Sequence, residues 1–149
     1  QGGGVIRAVL DTNTIVSALI ARDGCPHAVL AAFRERRFVL VVSPAIIAEV
    51  IEVLERPFFR DKRGVTARDI ARLKHLLLRR GQVVVPETCR ALVPDDPDGN
   101  QIVACALEAK AEFLVTGDHH LLHLRRLEDT RIVTAREFLA LLEERHRQR

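Results

Sequence analysis

The chain has 149 residues, 48% hydrophobic and 29% charged, which suits a folded core and excludes disordered or fibrous classes. Its formal net charge is +3, from 23 basic and 20 acidic residues, so the balance alone selects no partner. No apolar run reaches the roughly 18–20 residues of a spanning helix, so no membrane role is expected. In chain order, residues 5–10 form an apolar run that ends at Asp11 and predicts a buried strand. Residues 14–21 predict a packed helix. Pro26 suits the first position of a helix through Arg37, with Val29, Leu30 and Phe33 at helical spacing. Residues 38–42 predict a second strand. Ser43-Pro44 reads as a cap followed by a first-position proline, opening a helix to about Arg56. Residues 56–64 predict a basic connection containing Phe58 and Phe59. Thr66 and Asp69 have capping-box spacing and start a helix that ends near Gly81. Residues 82–85 predict a third strand, 94–99 an acidic turn, 101–110 a helix, 112–115 a fourth strand and 131–133 a fifth. Thr134 and Glu137 form a second capping box for the last helix.

Strands and helices alternate throughout, which predicts an α/β fold: a central five-stranded parallel sheet in a three-layer α/β/α arrangement. Residues 5–142 read as one domain. Gln1-Gly2-Gly3-Gly4 reads as a remnant outside the fold, and residues 143–149 as a charged tail. No signal-peptide pattern opens the chain. Cys25, Cys89 and Cys105 are scattered and odd in number, which argues against a disulfide framework or structural zinc and fits a reducing cytoplasm. Of the 23 basic residues only three are Lys. Arg suits phosphate contacts, although an Arg-rich, Lys-poor chain is also what a GC-rich genome produces.

In such a sheet, function collects at the carboxyl ends of the strands, where strand order reverses. Asp11 and Asp118 both follow predicted strands, as a helix cap or a functional acid would. Glu49 lies just outside the apolar arc made by Ile46, Ile47, Val50, Ile51, Val53 and Leu54. That position suits a carboxylate reaching a cleft, or one that snorkels to solvent. Asp95, Asp96 and Asp98 crowd three acids into four residues before an apolar helix. A cap needs one of them; the excess suggests a nearby cation. Oxygen ligands favour Mg²⁺ or Mn²⁺ over zinc. His119, His120 and His123, set among leucines, read as the rim of a surface helix and not as ligands. No Gly-rich phosphate loop stands between a strand and a helix.

These segments together resemble the PIN domain family of metal-dependent ribonucleases. The resemblance runs from Val5 to about Leu142. It rests on Val9-Leu10-Asp11-Thr12-Asn13-Thr14, on Ser43-Pro44 with Ala48-Glu49-Val50, and on Asp96-Pro97-Asp98-Gly99-Asn100. Leu114-Val115-Thr116-Gly117-Asp118 and the closing Thr134-Ala135-Arg136-Glu137-Phe138 complete it. It implies a sheet order of 3-2-1-4-5 and acids converging on Mg²⁺ or Mn²⁺. Carried across, these are Asp11, Glu49, Asp118 and one of Asp96 and Asp98, with Asp98 preferred. Asn13, Asn100 and Thr116 match supporting polar positions. Many relatives carry a further acid where Gly99 or Asn100 stands here. The implied activity is endonucleolytic hydrolysis of single-stranded RNA to 5′-phosphate and 3′-hydroxyl ends. Similar chains are often described as toxins of toxin–antitoxin pairs, which implies a small antitoxin as partner, and relatives commonly self-associate, which implies a homodimer.

Two other readings compete. A PIN module with a decayed metal site would bind RNA or a protein without cleaving; the neutral Gly99-Asn100 pair favours it. A phosphatase using Asp11 as nucleophile would want a second Asp two residues on, where Asn13 stands. Setting four site acids aside leaves 16 acids against 23 bases, a surface suited to nucleic acid. The segment around Phe58 and Phe59, and the helix bearing Arg68, Arg72, Lys74, Arg79 and Arg80, are candidates for RNA or partner contact, or else a solvated face over two core phenylalanines.

Overall fold

A computed structural model of the protein describes residues 5–86 and 97–147, with residues 97–100 as backbone. Six strands are found among them: β1 (Arg7–Leu10), β2 (Val39–Val42), β3 (Gln82–Val83), β4 (Phe113–Val115), β5 (Arg126–Leu127) and β6 (Thr130–Val133). The helices are α1 (Thr12–Ile20), α2 (Cys25–Arg34), α3 (Pro44–Leu54), α4 (Pro57–Arg63), α5 (Ala67–Arg80), α6 (Pro97–Ala109), α7 (His119–Leu124) and α8 (Ala135–Arg147). The sheet order is β3-β2-β1-β4-β6-β5. All neighbours are parallel except β5 and β6. The expected five-stranded parallel order is therefore present, with β6 as its fifth member. The sheet itself has six strands, because residues 126–131 fold back as a hairpin.

Both faces of the sheet are covered. Ala8, Val9 and Leu10 are all buried, as are Leu40, Val41 and Val42, and Phe113, Leu114 and Val115. Successive strand residues point to opposite faces, so a strand buried at every position has helices on both sides. α6 lies against β1, β2 and β4, while α2 packs on α1 and α8. Phe38 and Phe138 meet edge to face with centroids 4.9 Å apart, and Phe113 meets Phe138 at 5.7 Å. These rings join α8 to the sheet. No single described helix is long and apolar enough to cross a membrane.

Local chemistry sets the helix ends. Thr66 Oγ1 accepts from the Asp69 N–H at 3.1 Å, and the Asp69 carboxylate accepts from the Thr66 N–H at 2.9 Å. Those bonds, backbone first and hydroxyl second, hold the Asp69 carboxyl below its ordinary pKa. Thr134 and Glu137 repeat the pattern at 3.1 and 2.8 Å. The segment expected as a basic connection is instead α4. Pro57 starts it, Gly64 ends it in the left-handed region at φ 66, and Arg60, Lys62 and Arg63 fill its last turn. The expected acidic turn is cut short as well: α6 already begins at Pro97, and residues 94–96 lie outside the described residues.

Gly81 joins α5 to β3 without room for a side chain. A Cβ there would stand 2.4 Å from the Leu77 carbonyl oxygen and 3.2 Å from Val42 Cγ1. Gly81→Ala should therefore destabilise the protein by about 1–3 kcal/mol through forced backbone displacement. Denaturant melts of the two proteins check this; equal midpoints would show that the junction yields freely.

Candidate metal centre

The chain winds from β1 outward through β2 to β3, then returns across to β4 and β6. Strand order thus reverses between β1 and β4, and a crevice forms outside their carboxyl ends. Asp11 follows β1 there, and Thr116 and Asp118 follow β4. The Asp11 N–H donates to Val115 O at 3.1 Å, and the Thr116 N–H donates to Val133 O at 2.9 Å. Asp11 and Thr116 are therefore anchored directly to the sheet, and Asp118 stands two residues beyond that anchor.

Asp11 is 5% exposed. Its Oδ1 accepts from the Thr14 N–H at 2.7 Å, capping α1. Its Oδ2 accepts from the hydroxyl of Thr116. The same hydroxyl accepts from the Asp118 N–H at 3.0 Å. Thr116, itself buried, thus ties both acids to one oxygen. The half-buried Asp118 accepts from the His120 N–H at 2.8 Å and caps α7. Capping and metal binding were alternatives for these residues in the sequence; a carboxylate whose one oxygen caps a helix still presents lone pairs to a cation.

Glu49 reaches the same edge from α3. Ser43 caps that helix through Ile46, whose N–H donates to its hydroxyl at 3.2 Å. Ile46, Ile47, Val50 and Leu54 bury one face and leave Glu49 half buried beside it. The Thr12 hydroxyl donates to Glu49 Oε1. Thr12 is buried and directly follows Asp11, so one turn of chain addresses two of the candidate acids. Sequence reasoning missed Thr12. Its only cue was a hydroxyl beside a strand-end acid, and its partner lies 37 residues away.

The first turn of α6 supplies Asp98 and Asn100. α6 leads into β4, so its beginning lies at the carboxyl edge of the sheet, as Asp11 and Asp118 do. Cys105, further along α6, hydrogen-bonds Ser43 at the end of β2, and burial pushes its thiol up to about 12. It is a packing residue, protonated at neutral pH. The side chains of Asp98 and Asn100, and all of Asp96, lie outside the described residues. Asn13 is exposed on α1. His119, His120 and His123 are exposed on α7, in line with a surface rim.

Among the described residues no three His, Cys, Asp or Glu side chains form a metal-holding group. What they do form is an oxygen-only edge. Neither Asp11 nor Asp118 pairs with Lys or Arg among the described residues. Carboxylates supported by hydroxyls fit a hard divalent ion and not zinc. The comparison with known proteins carries the same arrangement further: the family profile described as PIN domain matches residues 7–120, which spans β1 through the start of α7. The chain belongs to the PIN domain family. PIN domains are generally nucleases, use divalent metals and bind RNA. This PIN domain is also 32% identical over 124 residues to the uncharacterized protein MJ1680 of Methanocaldococcus jannaschii, covering 80% of this chain and 76% of that one. The matched span contains Asp11, Glu49, Asp98 and Asp118.

Proposed function

We propose that this PIN domain is a metal-dependent endoribonuclease that hydrolyses phosphodiester bonds of single-stranded RNA. The observation that carries the reading is the hydrogen-bonded chain Asp11–Thr116–Asp118 on adjoining strands at the switch point, with Glu49 fastened to the next residue by Thr12. Asp11, Glu49, Asp118 and Asp98 would hold Mg²⁺ or Mn²⁺, with Asp96 as the alternative to Asp98. When bound, the metal supplies an acidified water and neutralises charge at the scissile phosphate. The chain's own part is orientation. Thr116 Oγ1 and the Thr14 N–H fix both oxygens of Asp11, so its carboxylate needs no reordering when a cation arrives. Thr12 keeps Glu49 turned toward the same edge. Asn13, exposed on α1, and Asn100 would support the metal shell. The products would carry 5′-phosphate and 3′-hydroxyl ends.

The cellular role that fits is toxin of a toxin–antitoxin pair in a reducing cytoplasm. α4 offers a surface for a small antitoxin: Phe58 is 52% exposed, packs edge to face on Phe59, and carries Arg63 over its ring at 5.7 Å. A homodimer is the expected assembly.

The test is cleavage of single-stranded RNA with Mg²⁺ or Mn²⁺ against EDTA, in wild type and in single Asn variants of Asp95, Asp96 and Asp98. Metal-dependent cleavage that survives Asp95→Asn and fails in Asp98→Asn is expected. Undiminished cleavage in EDTA refutes the metal mechanism. Loss in Asp96→Asn alone moves the third ligand to Asp96. RNA binding without cleavage in any metal supports instead the decayed module that Gly99 and Asn100 suggest.

A further inference from the structure

Two adjoining cavities open at the edge of the sheet opposite the acids. The larger, about 650 Å³, is lined by Arg34, Arg36, Arg72, His75, Arg79 and Arg80. The smaller, about 310 Å³, shares Arg36, Arg79 and Arg80. Arg34 ends α2 and Arg36 lies in the turn that follows, before β2, while Arg79 and Arg80 end α5 just before β3. The cavities therefore face the amino ends of the strands. A four-residue strand, about 13 Å long, separates them from the carboxyl edge.

Among the described residues no carboxylate lines either cavity. Arg34, Arg36 and Arg79 form no ion pair among the described residues. Arg72 lies near Asp69, an acid already engaged in its capping box. Arg80 Nη1 donates to Arg34 O at 3.0 Å and joins the two walls. Like charges gathered this way repel. Arg36 adds a second unfavourable feature. It sits in the left-handed region at φ 62, within a turn where its N–H reaches Phe33 O and the Arg37 N–H reaches Ala32 O, both at 2.9 Å. Glycine suits that position best, and any residue with a Cβ is strained there. The repulsion favours a polyanionic ligand that would offset it, and the strained backbone holds Arg36 at the cavity mouth at a cost to stability.

We infer that this cavity pair binds the phosphodiester backbone of RNA, away from the cleavage edge. Guanidinium forks match phosphate oxygens. Arg72 and Arg79 stand two helical turns apart on α5, about 10 Å, which spans more than one phosphate. The inference rests on RNA as the ligand, as proposed above, but not on its cleavage. An RNA long enough to touch both edges gains affinity by bivalent attachment.

The test compares wild type with an Arg36→Gly/Arg79→Gln double variant in EDTA, by fluorescence anisotropy with single-stranded RNA of about 20 and about 5 nucleotides. The double variant should bind the long RNA roughly 10-fold more weakly, and its salt slope should fall by about 1.4 for two lost phosphate contacts. Without metal the acid edge repels phosphate, so the short RNA should lose affinity as well. Arg36→Gly relieves the strained turn, so the variant should melt no lower than wild type. Equal affinity and slope of the two proteins on either RNA would overturn the inference. Thermal stabilisation by inorganic phosphate as large as that by long RNA would assign the cavity to free phosphate and overturn it too. Weakened long-RNA binding in a protein that cleaves nothing would support this site while refuting the nuclease reading.

Discussion

Asp11→Asn and Asp118→Asn should each slow metal-dependent RNA cleavage by about 100-fold or more, with the fold intact. Asparagine is close in shape to aspartate and keeps a side-chain oxygen. At position 11 that oxygen can still accept from the Thr14 N–H, which now lies 2.7 Å from Oδ1, so α1 remains capped. At position 118 it can still accept from the His120 N–H, now at 2.8 Å. What each change removes is one negative charge and the second acceptor oxygen. For Asp11 that second oxygen is the one facing Thr116. The control is Asp129→Asn, an exposed acid in the β5–β6 turn at the far edge of the sheet. It should cleave as wild type does. Single-turnover assays with a labelled RNA check all three. Full activity in Asp11→Asn would remove this carboxylate from the reaction.

The same substitution should act on stability with opposite signs in the two metal states. Asp11 is buried without a Lys or Arg partner among the described residues, and other acids share its edge. A buried, unpaired carboxylate near like charges is unfavourable. In EDTA, Asp11→Asn should therefore raise stability by about 0.5–2 kcal/mol, as one of several like charges leaves the edge. Millimolar Mn²⁺ should stabilise wild type, by about 2.7 kcal/mol at 100 times its dissociation constant, and the variant much less. Asp11→Ala separates the cap from the charge: it loses the bond to Thr14 as well, at about 1 kcal/mol, and should melt below Asp11→Asn. Thermal melts of the three proteins with EDTA and with Mn²⁺ decide the matter. An Asp11→Asn protein that melts lower in EDTA yet gains the wild-type increment from Mn²⁺ would make Asp11 a structural cap alone.

Much of this was written locally in the chain. Ala8–Leu10 before Asp11 and Phe113–Val115 before Thr116 are continuous apolar runs, and a run buried on both faces needs no knowledge of its neighbours to be recognised. Ser43, Thr66 and Thr134 announce their helices because a cap bonds within three residues. The polar rim position of Glu49 follows from helical periodicity alone. Elements whose signals are weak or doubled were harder to see. α4 carries a starting proline and a closing glycine, but at seven residues its pattern is too short to stand out from a basic linker. The β5–β6 hairpin turns at Glu128 and Asp129, with Glu128 at φ 53. It lacks the Asn-Gly or Asp-Gly signature that marks such turns.

Only tertiary structure decided how the acids are supported. The Thr116 hydroxyl meets Asp11 across 105 residues of sequence, and Thr12 meets Glu49 across 37. Those bonds exist because parallel pairing sets Leu10 beside Val115 and because α1 packs on α3. The basic cavity is assembled in the same way, from the ends of α2 and α5, which share nothing in sequence but arrive together where β2 and β3 begin. A chain states which residues are polar, apolar or charged, and local geometry turns that into strands, helices and caps. Which hydroxyl faces which carboxylate, and which arginines crowd one cavity, depends on strand order and helix packing, and these are set by the burial of the whole core at once.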